Sequence, residues 1–169
     1  MLADEPARSA LDFDQIVAAH QARVARLASR LLGWRGDVDD VVQDVFLAAL
    51  RSIGKFRGES SVETWLVRVT INACRREIRR RAMREMLWGK ALSREAAEGM
   101  ADDERTKVRE VVGALPRKYR VVVVLRYLEE MEVAQVMSSL KLSRSAVEVR
   151  LHRAREMLRD GLKDYVEGT

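Results

Sequence analysis

Six apolar residues, Val38, Val41, Val42, Val45, Phe46 and Ala49, fall at i, i+3, i+4, i+7, i+8 and i+11. At about 100° per residue this spacing gathers them on one helical face, whereas a strand divides them between its two sides. The rest of the chain agrees with a helical reading. It holds only two prolines, Pro6 and Pro116, and no Asn-Gly hairpin signal. An all-α fold is predicted, and 169 residues with 47% hydrophobic content are enough for two small cores.

The pattern divides the chain into helices. The first is predicted from Phe13 to Leu32, with Ile16, Ala19, Val24, Leu27, Ala28 and Leu31 apolar and Gly33 as its stop. The second opens at Asp37, a suitable N-cap, and presents Asp40, Gln43, Asp44, Leu47 and Arg51 opposite its apolar face. A Leu among carboxylates on an exposed face can anchor a protein partner, although single exposed leucines are also ordinary. After a Gly54 to Gly58 loop, a third helix places Arg68, Asn72, Arg75 and Arg79 in one polar stripe bordered by Trp65. Leu66, Val67, Val69, Ile71, Ala73, Cys74 and Ile78 occupy its other sides, leaving the stripe as the exposed surface. Guanidinium groups pair with phosphate and an indole stacks on an unpaired base, so this surface suits nucleic acid. It suits a solvated face on a core helix equally well.

Acidic residues and weak periodicity mark a linker from Arg84 to Arg105. Beyond it, Val108, Val111, Val112 and Leu115 have helical spacing and Pro116 starts a new helix. The run Val121 to Leu125 has strand propensity but no second strand to pair with, so it is read as a buried helix. A short helix from Glu132 to Leu140, a turn at Lys141 and Leu142, and a long helix capped by Ser143 then form a helix-turn-helix pattern. In the last helix Val147, Leu151, Ala154 and Leu158 face inward, and Ser145, Glu148, Val149, His152 and Arg153 face out. An ordinary helical hairpin has the same spacing.

Charge and cysteine content narrow the functional classes. Lys and Arg number 31 against 26 Asp and Glu, and the net charge of +5 fits a polyanionic partner. The single cysteine, Cys74, excludes an internal disulfide and occupies an apolar helix position. No apolar run reaches the roughly 20 residues of a membrane span and the N-terminus lacks signal-peptide character, so a cytoplasmic protein without membrane insertion is expected.

The strings DVVQDVF and FRGESSVETWL, followed by VREVVGALPRKYRVVVVLRYLEE and SAVEVRLHRAREMLRDGL, resemble the two blocks of an extracytoplasmic-function sigma factor. The resemblance runs from Phe13 to Leu162 and implies two helical domains. These are a region 2 bundle at residues 10–83 and a region 4 helix-turn-helix at 106–165, joined by a linker at 84–105. It implies that Asp40, Gln43, Asp44 and Leu47 dock on the clamp helices of the largest subunit of core RNA polymerase, with further contact at the flap. Trp65, Arg68, Asn72, Arg75 and Arg79 would hold the melted minus-ten element of promoter DNA. Ser145, Glu148, Val149, His152 and Arg153 would read the minus-thirty-five element in the major groove. An anti-sigma factor is the expected regulator, and no cofactor, metal or catalytic residue is implied.

The family pattern is broken in the helix-turn-helix by Met137, Ser139, Lys141 and Glu148. Lys141 stands where the turn glycine is usual, at a cost of about 1 kcal/mol, and Glu148 has the chemistry to accept from a cytosine amino group. Two rival readings exist. A divalent-metal nuclease would use Asp37, Asp39, Asp40 and Asp44, but at helical spacing Asp39 points away from Asp40 and Asp44. A helix-turn-helix regulator that does not recruit polymerase leaves the FRGESS loop and Trp65 unexplained.

Overall fold

A computed structural model describes residues 13–34, 38–58, 60–88 and 104–166, and among them every regular element is helical. Helices α1 (Phe13–Leu32), α2 (Val38–Ser52) and α3 (Val62–Trp88) pack against one another as a first domain. Gly33 stops α1 as expected: its φ is +74°, its N–H reaches the Arg30 carbonyl at 3.1 Å, and the Trp34 N–H reaches that of Ser29 at 2.8 Å. On α2, Val41, Val42, Val45, Phe46 and Ala49 are buried and Val38 half-buried, as the spacing predicted. Asp37, the expected cap of this helix, lies outside the described residues.

The start of α3 is held by Ser61, whose hydroxyl accepts the Thr64 N–H at 3.2 Å. Leu66, Val67, Ile71, Ala73 and Cys74 are buried along it, and the buried Thr70 hydroxyl donates to the Leu66 carbonyl at 2.8 Å. The helix continues past Met83 to Trp88 because Glu77, itself nearly buried, binds Arg80, Arg81 and Arg84 one and two turns on. The acidic linker expected around Glu95, Glu98 and Asp102 lies outside the described residues.

A second domain contains α4 (Glu104–Ala114), α5 (Arg117–Val123), α6 (Val133–Leu140) and α7 (Arg144–Val166). The valine run is helical and fully buried, and it opens into a wider π turn over Val124–Leu128. Between α6 and α7, Lys141 adopts the left-handed conformation (φ 54°, ψ 49°), as a turn residue at that place must. Ser143 accepts the Ala146 N–H at 3.2 Å and so caps α7. Three positions differ from the predicted core. Ala19 is exposed while Leu32 is buried, and Val108 is 40% exposed, leaving Val112 of α4 and Leu115 just past its end as the buried residues there.

The two domains touch. Helix α3 packs on α6, and α1 on α5 and the π turn. The backbones approach closely at two glycines, where a Cβ added to Gly113 would lie 3.2 Å from the Gly33 carbonyl oxygen.

Candidate nucleic-acid interface

Residues four, three and four apart on α3 stay on one side of the helix, but the stripe they form is not uniformly free. Asn72 and Arg79 are exposed, while Arg68 and Arg75 are half-buried. This corrects the expectation of a wholly exposed stripe. Helix α6 covers its N-terminal end, where the Arg68 guanidinium donates to the Ser138 hydroxyl and the Arg68 Nε is buried without a partner. Seventy residues separate the two side chains in the chain, so helical periodicity gave no sign of the contact.

Further along α3, a groove of about 390 Å³ opens between the domains. Leu31, Ile71, Cys74, Ile78 and Val121 supply apolar walls, and Arg75, Arg117, Lys118 and Arg150 supply cations. Burial, and then the like charges of Arg75 and Arg79, lower the affinity of the Arg117 guanidinium for its proton. Cations from both domains therefore converge here. Cys74 is only 2% exposed and burial pushes its thiol up to about 12, so it acts as a small hydrophobe and not as a nucleophile.

Trp65 is half-buried at the N-terminal end of the stripe, with its ring 5.3 Å from that of Phe56 at an interplanar angle of 43°. The aromatic pair ties the loop to the helix start. Phe56 was absent from the predicted site, although its place at the head of the FRGESS string was available as a signal.

On the outer face of α2, Asp40 and Gln43 are exposed and Leu47 is 49% exposed. Asp44 pairs with Arg80 of α3 at 2.8 Å, and that hydrogen bond strengthens the hold of Arg80 on its proton. Leu50, three residues after Leu47, is equally open, so an apolar pair and not a single Leu marks this face. Among the described residues no three or more His, Cys, Asp or Glu side chains gather to hold a metal ion, and no helix is long and apolar enough to cross a membrane.

Ser145, Glu148, Val149, His152 and Arg153 all point outward from α7, opposite the buried Val147, Leu151 and Ala154. Four of the five have neighbours, and the Ser145 hydroxyl lies 3.1 Å from that of Ser143. Glu148 lies 3.4 Å from Arg144, His152 lies 3.5 Å from Glu156, and Arg153 binds the Tyr119 hydroxyl and lowers its pKa. Behind them, the Ser139 hydroxyl is buried without a partner.

Comparison with known proteins places this geometry. The family pattern described as Sigma-70 region 2 matches residues 16–84, and that of Sigma-70, region 4 matches residues 105–158. The RNA polymerase sigma factor CnrH of Cupriavidus metallidurans is 34% identical over 160 residues, covering 86% of this chain and 84% of that protein. The ECF RNA polymerase sigma factor SigW of Bacillus subtilis is 27% identical over 167 residues, covering 90% of this chain and 89% of its own length. The solved structure of CnrH with the cytosolic domain of CnrY superimposes with a TM-score of 0.66 at 32% identity, covering 90% of this chain and 88% of that one. That of the sigma factor RpoE with the anti-sigma factor NepR from Bartonella quintana reaches 0.74 at 20% identity, covering 90% of this chain and 97% of that one, a likeness of fold. With both family regions in order on two helical domains, the chain belongs to the extracytoplasmic-function sigma factors of the sigma-70 family.

Proposed function

We propose that this sigma factor binds core RNA polymerase through the outer face of α2, melts the minus-ten element with the loop and stripe of α3, and reads the minus-thirty-five element with α7. The units would be residues 10–83, 84–105 and 106–165, working in the cytoplasm. The observation that carries the reading is Trp65 beside Arg68, Asn72, Arg75 and Arg79, tied to the loop by Phe56. An aromatic face next to a run of cations holds an unstacked base and its backbone together, and it offsets an unstacking cost of a few kcal/mol. Asp40, Gln43, Asp44, Leu47 and Leu50 give the polymerase an acidic face with an apolar centre. RpoE of Bartonella quintana is solved with an anti-sigma factor, and a partner of that kind is the proposed regulator of this chain.

Reconstitution with purified core polymerase tests the reading. The wild-type chain should start transcription from a subset of promoters and give permanganate-reactive thymines at the minus-ten element. Arg75→Ala with Arg79→Ala should reduce melting and lower the salt slope by roughly one unit for each phosphate the variant no longer neutralises. Promoter binding with no polymerase recruitment would instead favour a helix-turn-helix regulator.

A further inference from the structure

Four of the five side chains on the outward face of α7 are engaged with polar neighbours: Ser145 with Ser143, Glu148 with Arg144, His152 with Glu156 and Arg153 with Tyr119. The fifth, Val149, has no polar side-chain atom and is 53% exposed. Ser145 and Arg153 lie four residues to either side of it, and His152 lies three residues on, so all three are its neighbours on the helix surface. The two methyls of Val149 are therefore the apolar centre of a polar face.

Neither the helix nor the core accounts for a valine there. A β-branched residue forms helix less readily than Ala, and the buried side of α7 is made by Val147, Leu151 and Ala154. What valine supplies is direction. In a helix its χ1 is held near one rotamer, so both methyls stand at a fixed place with little freedom left to lose on contact.

Placement along the helix narrows what they can meet. Val149 stands five residues after Arg144, about 7.5 Å along the axis at 1.5 Å per residue. These are the turns that a helix-turn-helix presents to base edges. Met157, also exposed on α7, is about 20 Å from the helix start, farther than the major groove is wide, about 12 Å. Every base pair offers hydrogen-bonding atoms in that groove, but the apolar group it offers is the C5 methyl of thymine.

We propose that Val149 selects thymine at one position of the upstream promoter element by packing its methyls on the thymine C5 methyl group. The inference rests on the reading, given above, that α7 enters the major groove. Cytosine at that position lacks the methyl and presents an amino donor that valine cannot accept. The surrounding polar residues discriminate by hydrogen bonds, whereas this position discriminates by one carbon.

The test uses holoenzyme reconstituted from the full chain and core polymerase. Selection from a promoter library first gives the upstream duplex that it binds. Each thymine of that duplex is then replaced singly by deoxyuridine, which keeps the pairing and lacks the methyl. At one thymine the replacement should weaken wild-type binding about fourfold, the factor for burial of one methyl group. Val149→Ala should bind the thymine and deoxyuridine duplexes equally. Put in place of that thymine, 5-methylcytosine should bind wild type about fourfold better than cytosine, and Val149→Ala should not tell the two apart. The exposed site and the helix propensity of Ala keep the fold of the variant, which circular dichroism checks. If wild type senses the methyl of no thymine, or Val149→Ala senses it as strongly as wild type, the proposal is overturned while α7 keeps its place in the groove. A library selection that enriches no upstream element removes the reading of α7 itself, and the proposal with it, before any base is replaced.

Discussion

Glu77 lies inside α3 with 8% of its surface exposed, and Arg80, Arg81 and Arg84 converge on its two oxygens at 2.9 to 3.0 Å. Burial raises its pKa, but the Arg81 hydrogen bond and the charges of Arg81 and Arg80 outweigh it, so the carboxyl is held below its ordinary value. A carboxyl depressed in the folded state stabilises fully above its unfolded pKa, near 4, and the contribution is lost as pH falls through the folded value. Glu77→Gln should cost about 1 to 3 kcal/mol at neutral pH and flatten the acid limb of the stability curve, measured by urea unfolding at several pH values. The signal for this residue was in the sequence, as a carboxylate followed by arginines at i+3, i+4 and i+7, but the polar stripe beside it is the more conspicuous pattern. Glu148 is a related case, since its outward direction was read but its i,i+4 pairing with Arg144, equally present in the spacing, was not. If Glu148 accepts from a cytosine amino group, Glu148→Gln relaxes preference at one base pair by about 1 to 3 kcal/mol. Equal tightening on every sequence in a promoter-library selection would remove it from the reading surface.

At the scale of elements, period and punctuation carried most of the fold. Helix α1 ends at Gly33 and α7 begins after Ser143 as read, because a left-handed glycine and a capping hydroxyl are local devices. The valine run also came out as a buried helix, on the argument that an unpaired strand has nowhere to place its backbone groups. Its π turn was not legible, and neither was the cover of α6 over Arg68, since both depend on where distant segments meet. The turn after α6 gives a test at this scale. Lys141 takes φ 54° without a glycine's freedom, so Lys141→Gly should stabilise the chain by up to about 1 kcal/mol, the strain relieved less the added freedom of the unfolded chain. Lys141→Val should destabilise it by more than that, because a β-branched side chain rarely adopts a left-handed backbone. Thermal midpoints of the two variants should move in opposite directions, and movement in the same direction would place the strain elsewhere.

For the whole molecule, the question is whether two domains that meet at a groove and at the ion pairs of Glu129 with Arg23 and Arg30 unfold as one. The chain has three tryptophans, Trp34, Trp65 and Trp88, and all precede the second domain. Tryptophan fluorescence therefore follows the first domain, while helical circular dichroism follows both. Partial filling of the interface, against the fully buried Val45 in α2 and Val136 in α6, makes each core stronger than the link between them. Urea unfolding should accordingly give fluorescence and circular-dichroism curves that do not coincide, the mark of more than one transition. Val136→Ala opens a cavity in the second core and should cost it about 2 kcal/mol, moving the circular-dichroism curve while leaving the fluorescence midpoint in place. Val45→Ala should move the fluorescence midpoint by a comparable amount. If Val136→Ala shifts both signals together, the domains unfold as a single cooperative unit. The ion pairs of Glu129 with Arg23 and Arg30 would then be fastenings inside one folded unit and not a link between two.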